Sequence, residues 1–325
     1  MRFGIISTAD IATEWMIPAI RKSDHEVVAI GSRNQDSAVI VAEEFDVPHA
    51  YGSYEALFED ESVDAVYNPL PNGLHAEWTK KAADHGLDVL CEKPLTANAE
   101  AAGELFDYCE DAGVTLMEAW MYQFHPRTAR LREIVANELE SPRYATSTFT
   151  WRMADGAEDV RLDPDLAGGA LMDVGCYCVS GIRGVFGEPD RVYAEASDTR
   201  DSGVDTQLLG TLAYEDGRTA SFACGFDTDH EERLRIEAAN GWLEAHDCYG
   251  PDDDQQVALS YAVDGREVTE TFDAVDHYQL EVEAFADAVA AGDPAPISKG
   301  ESVANMATID ALYESADRHE PVTLD

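Results

Sequence analysis

Phe3-Gly4-Ile5-Ile6-Ser7-Thr8-Ala9-Asp10-Ile11-Ala12 runs from a short apolar stretch into a helical pattern in which Ile11, Trp15 and Ala19 fall four residues apart. A short apolar run closed by a turn reads as a buried strand, and the spacing after it as one face of a helix. Pro18 is expected to kink or end that helix early, because it lacks an N–H and its ring crowds the preceding turn. The alternation repeats outward. Val27-Val28-Ala29-Ile30 reads as a second strand, followed by helix over residues 36–45. Residues 64–67 and 89–91 give two more strands, with helix over 75–85 between them. Ala102, Leu105, Phe106 and Cys109 mark another helix, and residues 114–117 close the series. Strands separated by helices of this length form a parallel sheet with right-handed crossovers.

The remainder has a different grain. Residues 144–152, 192–196, 207–214, 218–224, 233–238 and 257–262 read as strands, and Asp216-Gly217 and Asp264-Gly265 as hairpin turns. Two helical stripes follow, Tyr278, Val282, Phe285 and Val289, then Met306, Ile309 and Tyr313. The fold class is therefore α/β: a doubly wound parallel sheet over residues 1–121, then an α+β domain with an open, mainly antiparallel sheet over 122–325. The C-terminal helix is expected to pack back on the first domain.

Composition sets the solvent rather than the chemistry. A hydrophobic fraction of 45% over 325 residues supports a true core. Lys plus Arg number 22 against 65 Asp plus Glu, a net charge of −43 spread along the whole chain. That balance argues against nucleic-acid and anionic-membrane partners. It also points to a salt-accumulating cytoplasm, where screening relieves self-repulsion. No secretory signal or membrane span is expected from the sequence. The six cysteines show no zinc-like spacing, so no metal is expected and reduced structural thiols fit a cytoplasm.

The turn after the first strand, Ser7-Thr8-Ala9-Asp10-Ile11-Ala12, occupies the place of a glycine-rich dinucleotide fingerprint, with Ser7 and Ala9 where the leading glycines would stand. The context of strand, tight turn and helix N-terminus suits a pyrophosphate, which meets backbone N–H groups and the helix dipole there. The second strand ends in Gly31-Ser32-Arg33-Asn34, with no carboxylate for a ribose diol. A serine and an arginine suit a 2′-phosphate, since guanidinium pairs with phosphate and stacks on adenine. NADP is therefore expected, with NAD the alternative. Ligands of such sheets lie beyond the carboxyl ends of the strands. There the later strands contribute Pro69, Asn72, His75, Glu92 and Lys93. Lysine is scarce, only five in the chain, and one at a strand end is a candidate acid/base.

The Ser7–Ile11 turn, Pro69 to His75, Glu92-Lys93-Pro94, Glu118-Ala119-Trp120-Met121-Tyr122-Gln123-Phe124-His125-Pro126 and Arg161 through Gly168-Gly169-Ala170-Leu171-Met172-Asp173-Val174-Gly175-Cys176-Tyr177 together resemble the family of glucose–fructose oxidoreductase and myo-inositol dehydrogenase (Gfo/Idh/MocA). The resemblance covers about half of the chain. It implies a Rossmann domain, an open-sheet domain and a substrate between them, with Lys93 as the family lysine. Asp173 and Tyr177, four apart on a helix, would share a face. Inositol dehydrogenases typically carry histidine where this chain has Tyr177. Tyrosine resembles the branch of NADP-dependent D-xylose dehydrogenases and dimeric dihydrodiol dehydrogenases.

The expected reaction is hydride transfer from a sugar or polyol to the nicotinamide, with an aldose oxidised at C1 to its lactone and D-xylose or D-glucose leading. Tyr177 takes the hydroxyl proton and the Lys93 ammonium favours the phenolate; Lys93 as the base itself stays open. Asp173 and Arg161 are expected to contact substrate, while His75 and Tyr278 serve either the site or packing. A trans-dihydrodiol or other polyol dehydrogenase, a non-catalytic NADP-binding regulator and an enzyme that recycles its cofactor are the competing readings. A homo-oligomer, dimer or tetramer, is implied by the resemblance.

Overall fold

A computed structural model describes residues 1–324, in two compact units. The first comprises Met1–Met121 and Asp276–Val303; the second comprises Tyr122–Val275 and the residues from Ala304 onward.

The first unit is built on a six-stranded sheet of β1 (Arg2–Ile5), β2 (Glu26–Gly31), β3 (His49–Tyr51), β4 (Ala65–Asn68), β5 (Asp88–Glu92) and β6 (Leu116–Ala119). Its order is β3-β2-β1-β4-β5-β6, every neighbouring pair parallel. Helices α1 (Ile17–Lys22), α2 (Gln35–Glu44), α3 (Tyr54–Phe58), α4 (His75–Asp84) and α5 (Ala99–Ala112) connect the strands. Burial on both faces explains why β4 is apolar without alternation: Ala65, Val66 and Tyr67 are all fully buried. The short β3 and α3 were not expected from the sequence. Each has too few residues to establish a period.

Pro18 does not end the first helix. Residues Ile11–Met16 wind as a wide π-turn, and Pro18 falls in the first turn of α1, where its missing N–H is not needed. The winding changes before the proline, so the helix continues through it. Helix α8 (His277–Ala291) belongs to this unit and packs against α1. Phe285 lies 6.2 Å from Phe3, and Tyr278 5.8 Å from Trp15, centroid to centroid. Residues 276–303 thus complete the first unit.

The second unit holds α6 (Pro126–Asn137), α7 (Cys176–Phe186) and a nine-stranded sheet. Its strands are β7 (Tyr144–Arg152), β8 (Arg191–Ser197), β9 (Gln207–Ala213), β10 (Thr219–Gly225), β11 (Asp227–Ala238), β12 (Gly241–His246), β13 (Val257–Val263), β14 (Arg266–Phe272) and β15 (Val322–Thr323). The order is β14-β13-β12-β11-β7-β10-β9-β8-β15, antiparallel except for β7 beside β10. That parallel pair needs a crossover, and the segment holding α7 supplies it.

Alternation sorts the two sheet faces. Along β9, Leu208, Gly210 and Leu212 are buried while Leu209 is 64% exposed. Gly210 is required where it stands, because a Cβ would lie 2.2 Å from the ring of Phe222, its cross-strand partner. Both hairpin turns form, with Gly217 at φ 86° and Asp264 and Gly265 at φ 52° and 78°. Helix α9 (Lys299–Arg318) begins in the first unit and ends in the second. Among the described residues, no helix is long and apolar enough to cross a membrane. All six cysteines are buried.

Candidate active site

In the first unit, the ends of β2, β1, β4 and β5 are consecutive along one edge of the sheet. They bring together the candidate cofactor residues, which lie in four separate stretches of sequence. After β1, the Ser7 hydroxyl accepts the Ala9 N–H at 3.0 Å and tightens the turn. Asp10 offers no side-chain cap to the helix that starts at Ile11. After β2, Ser32 is buried and its hydroxyl accepts the Asn34 N–H at 3.2 Å. Arg33 is exposed, and its guanidinium pairs with the Tyr54 hydroxyl. Burial raises the Tyr54 pKa, and Arg33 pulls it partly back.

Lys93 stands half-buried just past β5, on a backbone held from three sides. On the strand side, Tyr67 donates to Glu92 Oε1 at 2.6 Å, while Glu92 Oε2 lies 3.3 Å from the Lys93 N–H. From α4, His75 is fully buried, with Nδ1 3.0 Å from the Pro94 carbonyl oxygen and Nε2 2.5 Å from that of Leu70. From β6, the buried Glu118 accepts the Leu95 N–H at 2.8 Å. Burial holds the His75 pKa down to about 4, and the Lys93 charge acts in the same direction.

Asn68 fixes the neighbouring loop. It is fully buried, donates to the His75 carbonyl at 3.2 Å and to the Thr79 hydroxyl at 3.1 Å, and accepts the Leu70 N–H at 3.3 Å. Asn72, half-buried, opens a single 3₁₀ turn before α4, and Pro69 is buried. His75 therefore sits between two loops, and its neutral ring can donate to one of the two carbonyls it faces. Tyr278 is 7% exposed, with its ring against Trp15 and His277.

Glu281 on α8 was missed by sequence reading. It is fully buried, with its carboxyl pKa raised first by burial and then by Glu92. In sequence it is one of many acids in an acidic chain.

In the second unit, Asp173 lies in a π-turn, Leu171–Gly175, that leads directly into α7 and Tyr177. Such turns recur at functional sites. Arg161 is tied to this carboxylate: Nε lies 3.1 Å from Asp173 Oδ2, and Nη1 3.2 Å from Asp159 Oδ1. Its guanidinium also lies over the Trp151 ring at 5.7 Å. Coulomb attraction from Asp173 is the main cause of its raised pKa. Arg161, expected as a substrate contact, is here the ion-pair partner of Asp173.

Tyr177 is 4% exposed within a nest of aromatic rings. Phe149 and Tyr249 lie 5.5 Å and Tyr122 5.9 Å away, centroid to centroid. The nest is itself pinned, since Tyr122 shares a 2.7 Å hydrogen bond with Ser180, and Tyr249 one of 2.7 Å with Ser147. Gly168 and Gly169 let the Arg161 loop meet the start of the π-turn. A Cβ on Gly168 would lie 2.5 Å from the Arg161 carbonyl oxygen, to which the Gly169 N–H donates at 2.8 Å. Among the described residues, no group of three or more His, Cys, Asp or Glu side chains could hold a metal ion.

The family model described as "Oxidoreductase family, NAD-binding Rossmann fold" matches residues 1–120, and that of the GFO/IDH/MocA C-terminal domain matches residues 128–244. The chain belongs to the GFO/IDH/MocA family. Among curated members it is 55% identical to "D-xylose 1-dehydrogenase (NADP(+)) 2" of Haloferax volcanii, over 100% of both chains. It is 30% identical to the trans-1,2-dihydrobenzene-1,2-diol dehydrogenase of Mus musculus, over 77% of this chain and 76% of that one. Among solved structures it resembles KijD10, a 3-ketoreductase from Actinomadura kijaniata in complex with NADP and TDP-benzene. That match has a TM-score of 0.92 and 30% identity over 97% of each chain. The parallel unit and the mixed-sheet unit are accordingly the two domains of a GFO/IDH/MocA oxidoreductase.

Proposed function

We propose that this chain is an NADP-dependent aldose 1-dehydrogenase that oxidises D-xylose, or D-glucose, to the lactone. The observation that carries the reading is 55% identity to an NADP-dependent D-xylose 1-dehydrogenase over the entire length of both chains. Residues at the strand ends fit the cofactor. The β1 turn offers backbone N–H groups at a helix start, and Ser32 with the exposed Arg33 offers a hydroxyl and a cation where no carboxylate would repel a 2′-phosphate. Bound NADP supplies the hydride acceptor.

The protein's own residues handle the proton. Tyr177 accepts it from the C1 hydroxyl as the hydride leaves C1, and the ammonium of Lys93 favours the phenolate. Asp173, held by Arg161, accepts hydrogen bonds from substrate hydroxyls and orients the ring. A homo-oligomer and a cytoplasmic, salt-rich setting complete the proposal, the latter supported by the net charge of −43.

The test is a panel of aldoses and trans-diols with NADP and NAD in molar KCl, following the reduced nicotinamide band. D-xylose with NADP is expected to lead. Diol oxidation alone would move the assignment to the dihydrodiol reading, which the mouse relative supports. No reduction of cofactor by any sugar or diol would overturn it.

Cofactor choice has its own test. Arg33→Ala is expected to raise the KM for NADP about 10- to 100-fold while leaving that for NAD nearly unchanged, the effect of losing about 1.5–3 kcal/mol of charge-assisted pairing. An NADP KM within about twofold of the parent would remove Arg33 from the phosphate site, that factor being only about 0.4 kcal/mol.

A further inference from the structure

The helix that carries Asp173 and Tyr177 starts on a buried carboxylate that the proposed reaction does not use. Asp205, in the loop between β8 and β9, is 8% exposed. Its Oδ2 accepts the Leu171 N–H at 2.8 Å, at the first residue of the π-turn. Its Oδ1 accepts the Tyr313 hydroxyl of α9 at 2.8 Å, and its main-chain carbonyl accepts the Ala170 N–H at 2.8 Å. Two consecutive amides of the helix start are thus held by one residue. Gly169, at φ 121°, is fitted to this junction, for a Cβ there would lie 2.3 Å from Asp205 Oδ1 and 2.8 Å from the Tyr313 hydroxyl.

We propose that Asp205 and Tyr313 are a positioning pair that fixes how the π-turn presents Asp173 and Tyr177. This rests on the reading of those two residues as the catalytic pair. The π-turn is wider than an α-turn, and its first N–H groups have no partner within the helix. Without an outside acceptor the turn can rewind, which rotates Asp173 relative to Tyr177.

The carboxylate is held at a cost. Burial is the largest influence on Asp205 and raises its pKa from 3.8 to about 6 despite its hydrogen bonds. The titratable groups facing this cluster are Tyr313 from α9, Cys224 from β10 and Cys176 from α7. Because the folded value is the higher one, the folded state binds the proton more tightly. Stability from this group is full below the unfolded value near 3.8 and is lost as pH rises through about 6. At neutral pH a neutral isostere therefore costs no stability through charge.

The experiment compares Asp205→Ala, Asp205→Asn, Tyr313→Phe and Tyr177→Phe in molar KCl. It measures kcat, the sugar KM, NADP affinity and Tm. Asp205→Ala is expected to lower kcat about 10- to 100-fold, the scale of a 1 Å misplacement, with NADP affinity unchanged. Asp205→Asn, which keeps an acceptor for Leu171, restores kcat to within about threefold with a Tm at or above the parent's, the remaining loss being under about 0.7 kcal/mol. Tyr313→Phe removes one hydroxyl and keeps the ring, so it serves if the alanine variant fails to fold. It should lower kcat about three- to tenfold, the loss of one hydrogen bond.

Parent-like kcat in Asp205→Ala, or in a folded Tyr313→Phe, would overturn the pair. So would failure of asparagine to restore kcat at parent-like Tm. If Tyr177→Phe itself turns over like the parent, the catalytic reading fails instead, and the two failures are distinguishable.

Discussion

Lys93→Met leaves a folded protein that binds NADP and turns over sugar at least about 10³-fold more slowly, a loss of about 4 kcal/mol of transition-state stabilisation. Methionine keeps the length and the apolar stem of lysine and deletes the ammonium. The backbone should not move, because its anchors belong to other residues: Tyr67 on Glu92, His75 on Pro94 and Glu118 on Leu95. Under the proposed chemistry, the lost charge is the one that favours the phenolate of Tyr177, so kcat falls while NADP affinity stays near the parent's. A second readout is independent of turnover. Lys93 adds to the burial that holds His75 down to about 4, so the imidazole should titrate higher in the variant. Such a shift with kcat within about tenfold of the parent would place the ammonium beside His75 and remove it from the reaction, since tenfold is only about 1.4 kcal/mol.

How far the sequence reveals this site depends on how local each interaction is. The parallel sheet was legible, β3 and α3 apart, because its buried strands are short apolar runs and the helices between them carry a helical period. The position of Lys93 just past β5 was legible because the strand before it is a short apolar run. The π-turn at Ile11–Met16 was not, since nothing in its composition distinguishes it from an α-turn, and Pro18 was accordingly expected to break the helix. The antiparallel character of the second sheet was readable from its hairpins. The parallel pairing of β7 with β10 depends on a crossover too long for any turn signal.

Site residues follow the same rule. Arg161 and Asp173 were both singled out, yet their 3.1 Å ion pair bridges 12 positions and has no sequence signature. Asp205 went unread altogether, because its partners are Leu171, 34 positions before it, and Tyr313, 108 after it. It looks like one more loop aspartate in a chain with 65 acids. Tyr313 was read only as part of an apolar stripe, where its hydroxyl had no evident task.

Tyr177→Phe separates the two candidate bases. The ring is packed against Phe149, Tyr249 and Tyr122, and phenylalanine fills the same space, so Tm should stay close to the parent's. If the phenol accepts the proton, kcat falls about 10²- to 10⁴-fold, the usual contribution of a positioned acid or base. The acid limb of the kcat profile disappears with it, because the group whose ionisation made that limb is gone. Sugar KM should change little, since the hydrogen bond lost is one that strengthens only as the proton departs. If Lys93 is the base, the outcome inverts. Tyr177→Phe then keeps its acid limb and loses only the modest factor of one substrate hydrogen bond, about 10-fold, while Lys93→Met alone removes the limb. The pair of profiles decides the assignment: one variant must abolish the acid limb and the other must keep one, moved to higher pH where Lys93→Met withdraws the ammonium from the phenol, and loss of the limb in neither would take both residues out of the proton-transfer step.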